Sequence, residues 1–218
     1  MGVSYILSLI VITNFLCIAS AFDPRPTQDI CVADLKSPLR TNGPMPCKDP
    51  KTVTDDDFFH SGLDKPGNTS NPFRAAVTTV GVANVPGLNS MGLSMGRLDF
   101  GPGGYFPLHF HRASELHVVL EGAIEVGFVS PDQNYTYYSK ILNKGDVFIV
   151  PPGLVHVQRN AGTGEASSLT ILNAQNPGIS IITHSAFGAI PAMDARYLAD
   201  VYQLDENTIK NLQAKTWV

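Results

Sequence analysis

Between residues 75 and 183 the chain breaks into short runs rich in β-branched and aromatic residues, each closed by Gly, Pro, Asn or Asp. That punctuation points to a β-sandwich or barrel. The runs cover 75–80, 93–100, 116–120, 123–129, 135–141, 146–150, 156–159, 167–173 and 179–183. No helical periodicity separates them, so the strands have to pair with one another rather than pack on crossover helices. Of the 218 residues, 19 are Gly and 16 are Pro, which supplies the turns such a fold needs.

The flanks read differently. Residues 22–74 are irregular, because eight prolines from Pro24 to Pro72 break any long element. Within them Asp55-Asp56-Asp57, ahead of Phe58, is suited to capping one short helical turn. From Pro191 onward the period becomes helical. Residues 194–202 and 207–215 read as two short helices, with Asp205 capping the second. So small a pair cannot bury itself and is expected to pack on the barrel or on a neighbouring subunit.

The first 21 residues read as a cleaved export signal. Ser4 to Ile18 is almost wholly apolar, and Ala19-Ser20-Ala21 is a small-x-small cleavage site. Asn14 interrupts a run that barely reaches the ~20 residues a membrane span needs, so no span is expected after cleavage. Cleavage removes Cys17 and leaves Cys31 and Cys47, an even count that reads as one disulfide in an exported chain. It would close a loop of about 17 residues, worth ~3 kcal/mol in the chain-entropy account, and would staple the extension to the barrel. Two glycosylation sequons agree with export, Asn68-Thr69-Ser70 and Asn134-Tyr135-Thr136. A net charge of −4 with no basic run excludes nucleic acid as a natural partner.

Two clusters carry chemistry. The first is Gly103-x5-His109-Phe110-His111-x3-Glu115-x6-Gly122. His109, His111 and Glu115 share parity, so one unbroken strand would point all three the same way. The second is Gly145-x5-Pro151-x-Gly153-x2-His156-x3-Asn160, which adds His156 after a Pro-Gly turn. Three imidazoles and one carboxylate suit a borderline divalent ion: manganese, iron, nickel, copper or zinc. Four protein donors on an octahedral ion leave two positions open for a substrate. His117 shares parity with Glu115 and is expected to hydrogen-bond a ligand or shuttle protons. Gln158, two residues past His156, has the parity to do likewise. His60 and His184 lie outside both clusters and read as structural or surface residues.

Both clusters match the two motifs of the cupin superfamily without a mismatch. The surrounding chain resembles the germin-like proteins of plants. It has their N-terminal box at Gln28-Asp29-Ile30-Cys31-Val32-Ala33-Asp34-Leu35, the partner Cys47, Pro86-Gly87-Leu88-Asn89, Gln175-Asn176-Pro177-Gly178 and a helical tail. The resemblance implies an all-β fold: a single cupin jelly-roll β-barrel over 75–190, with the disulfide-stapled extension before it and the helical pair of 191–218 after it. It implies one manganese on His109, His111, Glu115 and His156, a home in the apoplast or cell wall, and a hexamer built as a trimer of dimers, clasped by the C-terminal helices. Family activities are superoxide dismutation and, in true germins, oxalate oxidation. Related auxin-binding cupins hold redox-silent zinc in a similar site and act without catalysis.

Three departures matter. Germins read His-x-His-Pro-x-Ala-Thr-Glu, whereas His109 to Glu115 is one residue shorter, which restores strict alternation on a single strand. Oxalate oxidases resemble one another in placing two Asn residues near oxalate. Asn89 matches the first, but Gly96 stands where the second is found. Losing that amide weakens recognition of a small dianion by ~1.5–3 kcal/mol. Gly96 and Phe106 also leave room for a larger organic substrate. The expected function is therefore a manganese oxidoreductase of the superoxide dismutase type, acting on superoxide or a small organic acid. The alternatives are a zinc-bearing binding or wall protein, and an oxalate oxidase or diverged enzyme acting on a larger metabolite.

Overall fold

The computed structural model describes residues 29–39 and 43–215. The expected export signal, Cys17 and Trp217 lie outside the described residues. Among the described residues ten strands form two antiparallel sheets. They are β1 (Ala75–Val80), β2 (Ser94–Phe100), β3 (Tyr105–Phe110), β4 (Glu115–Glu121), β5 (Ala123–Ser130), β6 (Thr136–Asn143), β7 (Val147–Val150), β8 (His156–Asn160), β9 (Ala166–Leu172) and β10 (Ser180–Ile181). One sheet runs β1-β2-β9-β4-β7 and the other β10-β3-β8-β5-β6, closing face to face as a jelly-roll barrel.

The single strand expected to carry His109, His111 and Glu115 is in fact two. The chain leaves β3 after Phe110, turns through 111–114 and enters β4 in the opposite sheet. The turn is held by bonds out of both strands. Gly153 N donates to His111 O (2.8 Å), Arg112 N to Pro177 O (3.1 Å) and Ser114 N to Asn173 Oδ1 (2.8 Å). Pro107, which has no N–H, falls at the register shift between Phe106 and His109 where β3 pairs with β8. The ligands are thus brought together by sheets facing each other, not by alternation along one strand.

The run at 179–183 is also corrected. Only Ser180–Ile181 pairs, with Phe110 and His109 of β3, and the chain then coils into α1 (Ile182–Phe187). The two expected tail helices are α2 (Ala195–Tyr202) and α3 (Glu206–Gln213). Asp194 accepts from Tyr197 N and Asp205 from Thr208 N as their caps. Leu198, Ala199 and Ile209 bury one face of each against Phe187.

Cys31 and Cys47 form a disulfide across a sequence separation of 16, beside an isolated β-bridge between Ala33 and Cys47. Ala33 N donates to Pro86 O (3.0 Å) and ties the extension to the loop ahead of β2. Asp55–Phe58 is the expected short turn, a 3-10 helix whose Thr54 and Asp57 form a capping box.

Parity divides the interior along its length. Leu98, Phe100, Val119, Ile124, Val126, Leu142, Val150 and Ala166 make an apolar core, with Phe106, Phe128 and Phe148 packed on it. On these strands the same inward parity then turns from apolar to polar or bare: Gly96 on β2, His117 and Glu115 on β4, Thr170 on β9. Asn160 locks the apolar end. Its Nδ2 reaches Gly101 O (2.9 Å) and Gly164 O (2.7 Å), and its Oδ1 accepts from Gly162 N (2.9 Å).

Candidate metal centre

His109 near the end of β3 and His156 at the start of β8 are direct cross-strand partners, with ring centroids 4.0 Å apart. His111 lies just past β3, and Glu115 opens β4 across the barrel. One donor atom from each of the four lies within 4.8 Å of the other three. His109, Glu115 and His156 are buried and His111 is half-buried.

Each imidazole is anchored by its inner nitrogen. His109 Nδ1 lies 2.7 Å from Pro107 O, His156 Nδ1 lies 2.9 Å from Leu154 O, and His111 Nδ1 bonds Gly178 O. A carbonyl only accepts, so each Nδ1 carries a proton, and in the neutral ring that leaves Nε2 its lone pair. Glu115 Oε1 accepts from the Thr170 hydroxyl and has His117 Nε2 at 3.2 Å. Its other oxygen, Oε2, has no hydrogen-bond partner among the described residues, and neither has His156 Nε2, 2.9 Å away. His111 Nε2 lies 3.6 Å from the same oxygen. Buried lone pairs converging on one point are costly unless a cation lies between them. The donor set therefore fits a divalent ion.

The charges agree. Burial, and then the neighbouring His156 ring, push the His109 imidazole down to about 3, so it is neutral near pH 7. Burial lowers His111 as well. Burial opposes ionisation of Glu115, yet the rings of His117 and His156 hold its carboxyl well below the usual range. Neutral imidazoles and an ionised carboxylate are the forms that bind metal.

His117 and Gln158 are fully buried neighbours of this set, with Gln158 Nε2 3.0 Å from His117 Nε2. Asn89, expected beside the substrate, is placed elsewhere. Its amide bridges Met45 N and Met45 O (both 2.8 Å) and reaches Cys31 Sγ (3.3 Å), so it clamps the extension instead. Asn68 and Asn134 lie exposed on the surface. His60 and His184 are half-buried and outside the cluster.

A cavity of about 580 Å³ opens from the cluster, with His109, His111, Glu115 and Gln158 at its polar end. Its walls are largely apolar, including Val77, Leu98, Phe106 and Ile179, and among the described residues none that lines it is Lys, Arg or Asp. Gly96 lies in the wall, where a Cβ would meet Thr170 Cγ2 at 3.3 Å. Sequence reasoning missed Thr170 and the Gly178 carbonyl. A polar Thr at an inward position of an apolar strand was the signal for the first. The second is a backbone atom, and no side-chain pattern marks it.

The cupin family model matches residues 61–210. A putative germin-like protein 2-2 of Oryza sativa subsp. japonica is 48% identical over 198 residues, covering 90% of this chain and 88% of that protein. Germin-like protein subfamily 1 member 17 of Arabidopsis thaliana is 45% identical over 219 residues, 99% of both chains. Among solved structures, a recombinant oxalate oxidase in complex with glycolate superposes with a TM-score of 0.84 at 39% identity, covering 88% of this chain and 97% of that one.

Proposed function

Because the chain belongs to the germin-like proteins of the cupin family, we propose that it is a secreted manganese oxidoreductase whose leading activity is superoxide dismutation, yielding hydrogen peroxide in the apoplast. The observation that carries this reading is the convergence of unpartnered Glu115 Oε2 and His156 Nε2 with the anchored His109 and His111. These four residues would hold the ion. Manganese bound there would supply one-electron redox chemistry.

The chain's own residues supply the rest. Three backbone carbonyls orient the imidazoles, so little rearrangement accompanies metal binding. The single carboxylate adds a negative charge that favours the higher oxidation state. Gln158 and His117 form a buried polar pair beside the four donors, suited to orienting a water and passing protons there. The apolar walls limit water at the cavity's inner end.

Elemental analysis of the protein secreted from a plant host, after gel filtration, tests the reading. It predicts about one manganese per chain, and loss of both metal and dismutase activity in His111→Ala. Zinc, or metal retained in His111→Ala, overturns it; zinc would favour an auxin-binding-like role without redox chemistry.

The cavity favours a second reading, oxidation of an organic acid. The structural relative that binds glycolate is an oxalate oxidase. Here, with Gly96 opening the wall and about 580 Å³ available, the space suits a larger molecule than oxalate. Turnover of a longer carboxylate in preference to oxalate would support it.

Export of the mature chain after residue 21, glycans on Asn68 and Asn134, and a hexamer are part of the same proposal. Supporting the hexamer, the tail exposes Tyr197, Val201, Tyr202 and Leu204 on faces that α2 and α3 do not bury in each other.

A further inference from the structure

We propose that Thr170 is a positioning residue that selects which oxygen of Glu115 meets the metal. The inference rests on the metal-centre reading above. Thr170 sits on β9 directly opposite His117 of β4 and, on its other side, directly opposite Gly96 of β2. The three form one lateral row across the sheet, facing the barrel interior. The hydroxyl of Thr170 has a single proton, and it goes to Glu115 Oε1. His117 Nε2 approaches the same oxygen at 3.2 Å. Both groups are buried, Thr170 at 5% and His117 at 0% exposure. With Oε1 engaged by the Thr170 hydroxyl, Oε2 is the oxygen left to face His156 and His111.

Gly96 completes the arrangement. The Thr170 methyl lies where a Cβ at 96 would come within 3.3 Å of it. The bare glycine therefore gives Thr170 the space to keep its hydroxyl on the carboxylate and its methyl toward β2. The glycine that widens the cavity and the threonine that steadies the carboxylate are parts of one row.

The test uses the mature secreted protein, stripped of metal and reloaded, with Thr170→Val and Thr170→Ser. Valine keeps the shape and removes the hydroxyl, whereas serine keeps the hydroxyl. Affinities for Mn(II) and for Zn(II) are read by competition with a chromophoric chelator. The EPR spectrum of the Mn(II) form and the Tm of the metal-free form are read alongside. The proposal expects Thr170→Val to lose about 10–100-fold in affinity and to change the zero-field splitting, while Thr170→Ser stays within about threefold of native and the metal-free Tm moves little. Native affinity and an unchanged spectrum in Thr170→Val overturn the proposal and leave the metal centre standing. Equal losses in both variants with a lowered metal-free Tm also overturn it, since that pattern marks a merely structural residue. A native chain that takes up neither ion overturns the metal-centre reading and this inference together.

Discussion

His109 and His111 differ from ordinary surface histidines in that burial keeps their imidazoles neutral. The sign of the resulting pH dependence follows. In the unfolded chain a histidine takes up a proton below its ordinary 6.5, whereas folded His109 resists protonation down to about 3. Stability of the metal-free protein therefore falls as pH drops from 6.5 toward 3, by about 1.4 kcal/mol per pH unit for that group. Glu115, lowered in the fold, adds to the loss below the ordinary carboxyl range. Thermal melts of the metal-free protein at stepped pH check this, with a flat Tm above pH 7 expected. Asn89 gives a second prediction at this scale. Because its amide serves Met45 and not the cavity, Asn89→Ala is expected to cost about 1–3 kcal/mol of stability. Metal content per chain should remain native, as elemental analysis would show.

Elements decide what the residues can do together. Glu115 shares parity with His109 and His111, but strand alternation is not what unites them. The 111–114 turn carries the chain from one sheet to the other, and the contacts that hold it come from Gly153, Asn173 and Pro177, distant in sequence. A reading of local pattern has no access to such bonds. By contrast α3 was legible, since an Asp cap and helical period are local signals. Asp205→Ala is expected to cost about 1 kcal/mol through loss of the bond to Thr208 N, measured by urea titration. The disulfide is an element-scale device too. It holds the extension whose Met45 and Leu39 line the cavity. Replacing Cys31 and Cys47 together by Ser is expected to lower stability by about 3 kcal/mol and to loosen that wall, seen as faster proteolysis within residues 29–60.

At the scale of the molecule the barrel gathers one polar end and one apolar end into a single interior, so metal binding should stabilise the whole fold. At free manganese 100 times the dissociation constant the gain is about 2.7 kcal/mol, read as a rise in Tm that a chelator reverses. Two kinds of information met in this protein. The sequence by itself determined the all-β class, most strand positions, the two tail helices with the Asp205 cap and four candidate donors in two motifs, because period, punctuation and residue type are local properties. Only the tertiary structure decided that the donors come from opposite sheets. It alone placed Asn89 under the extension, faced Gly96 with Thr170, and assigned the carbonyls of Pro107, Leu154 and Gly178 to the imidazoles. Those facts depend on register between strands far apart in the chain and on backbone atoms that every residue carries, so no pattern of side chains could have announced them.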